Sequence, residues 1–198
     1  MSTETRKYEL KARAESQRAT RDRIAQAAAE LHEEKGVANT TVAEIARRAG
    51  VTRLTVYNHF AGLDQLLPAC AAHYEKQHPV PDFGDALAET HAGARVRGVL
   101  AQLYSWYREA EPMYGKLFSD RASVPELDRF LEQNFDRFQA DLAADLGRAF
   151  GLRGRKADRL RALILLALDF STWHRLTREG IADEAAADLM AAAVATSG

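Results

Sequence analysis

Apolar residues along this chain recur at spacings of three and four, and nowhere do Val, Ile and Thr alternate with polar residues over a strand length. The pattern predicts an all-α protein. Ile24, Ala27, Ala28 and Leu31 share one face of a helix over residues 20–35, which Gly36 stops. Thr41-Val-Ala-Glu44 is a capping box, in which the threonine side chain accepts from the Glu44 amide while Glu44 reaches back, so a short second helix follows over 42–49. After Gly50 and Val51 comes a third helix capped by Thr52, then a fourth over 63–78. Beyond the Pro79-Val-Pro81 break and a loop rich in Gly, Asp and Thr, longer helices are expected over 92–110, 113–119, 125–150, 156–179 and 183–195, about nine in all. Ser123-x-x-Glu126 reads as a second capping box, and Gly151 and Gly180 as stops.

The second and third helices carry the first functional hint. Ile45, Ala46, Gly50, Val51 and Val56 have the spacing of two helices packed close to perpendicular, a helix-turn-helix. The small Ala46 permits close approach, and Gly50 can take the positive φ of the turn. On the third helix Val56 and Phe60 point inward. Leu54 and Asn58 point nearly opposite, flanked by Arg53, Thr55 and Tyr57. Such a face can read a DNA major groove.

Composition narrows the class. The 198 residues are 46% hydrophobic and 28% charged, enough for one substantial core or two small ones. The net charge of −1 hides an asymmetry, because residues 1–60 carry 11 basic against 8 acidic side chains, net +3. The single Cys70 allows no internal disulfide and suits a reducing compartment; it reads as a core residue rather than a redox sensor. No segment resembles a signal peptide or a membrane span, so a cytoplasmic location is expected. The histidines show no H-x-x-x-H or H-E-x-x-H spacing, and no glycine-rich phosphate loop is present, so neither an enzyme nor a metal or cofactor site is expected.

The run TTVAEIARRAGVTRLTVYNHF, followed by D-x-L-L at Asp64, resembles the DNA-binding domain of the TetR family of bacterial transcriptional regulators. The resemblance covers about the first third of the chain. It implies a homodimer, usually a repressor, that binds a palindromic operator in double-stranded DNA and carries a ligand-binding and dimerisation domain at its C-terminal end. It implies the domain organisation too: a basic extension over 1–19, the helix-turn-helix domain over 20–62 and the larger helical domain over 63–198. Thr41, Thr52, Tyr57 and His59 match phosphate-contacting positions, while Arg53, Leu54, Thr55 and Asn58 match positions that meet base edges. One position departs, since Leu63 stands where the family usually has a lysine. Arg6, Lys7, Lys11, Arg13 and Arg18 of the extension could form an arm reaching the minor groove or nearby phosphates; the plainer expectation is an unstructured tail.

The C-terminal part says less. Val96, Leu100, Leu103 and Tyr107 make one helical stripe, and Leu127, Phe130 or Leu131, Asn134, Phe138 and Leu142 another. Aromatic residues are dense, which suggests a pocket for a small hydrophobic or aromatic effector. Leu103, Trp106, Tyr107, Phe118, Phe138 and Phe170 are its candidate lining, with Asn134 and His174 as polar anchors. By the resemblance the last two helices make the dimer, with Leu163, Leu166, Trp173, Leu189, Met190 and Val194 as candidates. Asp169, inside an apolar segment, is expected beside Arg175 or in an intersubunit ion pair. The alternative reading is a helical ligand-binding or protein-interaction dimer that no longer binds DNA.

Overall fold

A computed structural model describes residues 3–197, and among them every regular element is helical. The elements are α1 (Thr3–Lys35), α2 (Val42–Ala49), α3 (Arg53–His59), α4 (Leu63–Glu75), α5 (Gly84–Ala88), α6 (Ala92–Asp120), α7 (Pro125–Leu131), a π-helical turn (Glu132–Asp136), α8 (Arg137–Arg148), α9 (Arg155–Leu168), α10 (Phe170–Arg178) and α11 (Asp183–Thr196). They group into two units. The first holds the chain up to Pro79 together with Pro112–Phe130, and the second holds Val80–Glu111 and the chain from Leu131 onward. Helix α6 contributes to both.

In the first unit the predicted apolar face of α1 is the core. Ile24, Ala27, Ala28 and Leu31 pack with Ile45, Ala46 and Ala49 of α2, Val56 and Phe60 at α3, and Leu66 and Cys70 of α4. The Thr41–Glu44 capping box forms as predicted, and Gly50 ends α2 in the left-handed region at φ 65°. Helix α1 begins well before residue 20, at Thr3, so the extension is helix rather than tail. Ala, Glu, Lys, Arg and Gln favour that conformation even where nothing packs on it, and residues 10–19 are exposed throughout. The Arg6 side chain lies outside the described residues.

The second unit is built around a break that hydrophobic periodicity does not reveal. Instead of one helix over 156–179, α9 ends and α10 begins at Asp169, whose backbone is extended (φ −70°, ψ 132°). The Asp169 carboxylate accepts from the Ser171 and Thr172 amides at 2.8 and 3.2 Å. It is the cap of α10, not an ion-pair partner for Arg175, which pairs with Glu179 instead. The break frees carbonyls at the end of α9, and buried side chains take them. Tyr104 Oη donates to Ala167 O at 2.7 Å, Tyr107 Oη to Leu168 O at 2.6 Å, and Gln139 Nε2 to the same Leu168 O at 2.6 Å. Each bond answers a desolvated polar group.

Three other expectations change. The helices over 92–110 and 113–119 are one, since α6 runs through Pro112; a proline removes one intrahelical donor but need not end a long, packed helix. The helix over 125–150 is divided by the π-helical turn. Ser123 does not cap α7, which begins at Pro125; its hydroxyl donates to Asp120 O at 2.9 Å.

Candidate nucleic-acid interface

Helix α3 is only seven residues long, so its orientation depends on its ends. Thr52 caps it, with Oγ1 accepting from the Thr55 amide at 3.1 Å. At the other end the Arg21 guanidinium of α1 donates to the His59 carbonyl and lies 3.9 Å from the centroid of the Phe60 ring. Val56 and Phe60, each 2% exposed, anchor the inner side. The outer side is left for a partner. Leu54 is 69% and Tyr57 55% exposed; Arg53 and Asn58 are exposed too, with Thr55 and His59 half-buried. A large apolar residue and an aromatic stand in water there beside a guanidinium and an amide. All four expected base-contacting residues lie on α3, and Thr52, Tyr57 and His59 lie with them. Thr41 stands at the start of α2.

The start of α2 is electrostatically peculiar. Glu44 Oε2 accepts from the Thr41 amide at 3.0 Å and from its hydroxyl at 2.7 Å, while Oε1 takes Lys35 Nζ at 2.6 Å. The hydrogen bonds from Lys35 and then Thr41 hold the Glu44 carboxyl down at about 2, so it stays ionised. A phosphate arriving at Thr41 therefore meets a hydroxyl already bonded to a carboxylate. Arg48 is similarly engaged, with Glu34 at 2.6 and 2.8 Å. Arg47 and Arg53 remain exposed on the same two helices. Leu63, the departure from the family pattern, packs half-buried against the core.

The expected effector residues do not gather in one place. Leu103, Trp106, Tyr107 and Phe170 are buried in the second unit, where the Tyr107 ring meets those of Trp106, Phe170 and Trp173 at 5.6, 5.3 and 5.6 Å. They are core. Phe138 is half-buried, 6.2 Å from the Phe83 ring. Asn134 is exposed on the π-helical turn, and His174 stacks on Phe170 with Nε2 3.3 Å from Glu111. Phe118 belongs to the first unit, against Tyr114. A cleft of 340 Å³ in the second unit is lined instead by Leu87, Arg95, Asp145, Arg148 and Ala149.

The dimer candidates divide cleanly. Trp173 and Val194 are 0% and Met190 9% exposed within the single chain, so they are core residues and have no surface to offer a second copy. Leu166 and Leu189 are 53% and 49% exposed, and Leu163 is half-buried. Periodicity missed Arg21 altogether, because nothing in a sequence links an arginine to a carbonyl 38 positions away. Among the described residues no helix is long and apolar enough to cross a membrane.

Residues 24–70 match the family model described as bacterial regulatory proteins, tetR family. Over 70 residues the chain is 46% identical to the HTH-type transcriptional regulator SrpR of Pseudomonas putida, a match spanning 33% of this chain and 32% of that protein. A longer match, 28% identical over 152 residues, covers 72% of this chain and 74% of the HTH-type transcriptional regulator BetI of Paraburkholderia xenovorans. In structure the chain is similar to a TetR-family transcriptional regulator from Mesorhizobium loti, with a TM-score of 0.60 and 21% identity over 91% of this chain and 96% of that one. The matched family and relatives are regulators of transcription, not enzymes.

Proposed function

From the match of residues 24–70 to the tetR family of bacterial regulatory proteins, we propose a cytoplasmic, homodimeric regulator that binds a palindromic operator and is released from it by a small effector. The observation that carries this reading is the outer face of α3, where Leu54 and Tyr57 stand exposed beside Arg53 and Asn58 on a helix held at both ends. Two copies of α3 would enter successive major grooves about 34–36 Å apart. Thr52, Tyr57 and His59, with Thr41, would contact phosphates and set the register. Arg53 would take a guanine, Asn58 an adenine and Leu54 a thymine methyl, with Thr55 beside them. Leu163, Leu166 and Leu189 supply an apolar surface suited to the second copy.

The effector would act by differential affinity for two conformations of the dimer, moving the reading heads out of register. Its binding residues belong to the second unit. Tyr107, Leu103, Trp106 and Phe170 are too enclosed in this conformation to touch it directly. Phe138, Asn134 and His174 keep accessible surface and are the better starting points.

The test is selection of bound fragments from a genomic DNA pool, with the affinity of the winner repeated across salt concentrations. An enriched palindrome with a steep salt slope supports the regulator. A folded dimer that enriches nothing would instead be a ligand-binding or protein-interaction protein.

A further inference from the structure

The segment between α1 and α2 is held by a residue far away in sequence. Gly36 ends α1 at φ +86°, and a Cβ placed on it would lie 2.3 Å from Asp120 Oδ2. The backbone angle calls for glycine, and the Asp120 carboxylate leans into the space beside it that a side chain would take. The same oxygen, Asp120 Oδ2, accepts from the Ala38 amide at 3.0 Å. Within the loop Val37 is buried, Thr40 Oγ1 donates to Gly36 O at 2.6 Å, and Asn39 Nδ2 donates to Lys35 O at 3.1 Å. The next residue is Thr41, the cap of α2 and a proposed phosphate contact. Asp120 itself ends α6, a helix whose first turns belong to the second unit.

We propose that Asp120 is a positioning residue for the DNA face: its carboxylate clasps the 36–40 loop and thereby sets where Thr41 meets phosphate. The proposal rests on the regulator reading above and adds to it a route by which α6 reaches the DNA-binding surface. The bonds inside the loop tie it only to α1. The Ala38–Asp120 bond ties it to the end of α6 as well.

The test uses the full-length protein with Asp120→Ala and Asp120→Asn, the latter keeping an acceptor of the same shape. Exchange of the Ala38 amide reads the clasp directly and needs no DNA. It should quicken about tenfold in Asp120→Ala, recover in Asp120→Asn, and leave the α1 amides between Ile24 and Leu31 unchanged. On the selected DNA fragment, Asp120→Ala should weaken binding about tenfold, the size of one lost hydrogen bond, but have little further effect in a Thr41→Ala background. Unchanged Ala38 exchange, or equal losses with and without Thr41, overturns the proposal. If the native protein binds no DNA while Ala38 exchange responds as expected, the regulator reading fails and the positioning role falls with it, while the clasp itself stands.

Discussion

Acid should destabilise this protein through one buried imidazole. His32 lies on α1 with 2% of its surface exposed, and its Nε2 has no hydrogen-bond partner. Burial lowers its pKa from 6.5 to about 4, against an opposing pull from the Asp120 carboxylate. The native state thus disfavours the imidazolium, and the unfolded chain takes up its proton first as pH falls. Stability from this group is intact above the unfolded value, is lost between pH 6.5 and about 4, and falls no further below that. Between pH 7.5 and 4.5 these two values correspond to a loss of roughly 2–3 kcal/mol. Urea unfolding followed by circular dichroism at both pH values measures the loss, with His32→Leu as the comparison. Leucine does not titrate, any constant cost of the substitution appears at both pH values, and the other histidines cancel in the difference. His32→Leu should therefore lose roughly 2–3 kcal/mol less than the native protein on acidification. Equal losses in the two proteins would refute the buried neutral imidazole.

Three further outcomes are expected. Tyr57→Phe should weaken binding to every DNA sequence alike, whereas Arg53→Ala should relax preference at one base pair by roughly 1–3 kcal/mol; competition binding on single-base variants of the selected site separates them, and identical profiles would remove the division of roles on α3. Replacing Leu166 and Leu189 together by Glu should yield a folded monomer by sedimentation, since both side chains are about half exposed in the single chain; a persisting dimer would place the interface elsewhere. Asp169→Ala removes the cap of α10 and should destabilise the second unit by about 1 kcal/mol, read by urea unfolding of Trp106 and Trp173 fluorescence, and unaltered stability would mean that the break needs no cap.

The caps, the turn and the two faces of the helices over residues 42–59 were readable from sequence because those features are local or periodic. A capping box spans four residues, the left-handed turn needs one glycine, and Val56 and Phe60 lie on the opposite side of one short helix from Leu54 and Asn58. The sequence by itself therefore determined an all-helical chain and a helix-turn-helix with its outward side chains named. The tertiary structure decided what depends on distant partners. Periodicity runs unbroken through Asp169, yet the helix parts there, and Tyr104, Tyr107 and Gln139, from other helices, donate to the carbonyls that the break frees. Trp173, Met190 and Val194 carry the same apolar signature as Leu166 and Leu189, and only packing within the chain separates core from surface. The hold of Asp120 on Ala38 spans 82 positions. Hydrophobic periodicity reports that a helix has a face to bury; it carries no information about which surface covers it.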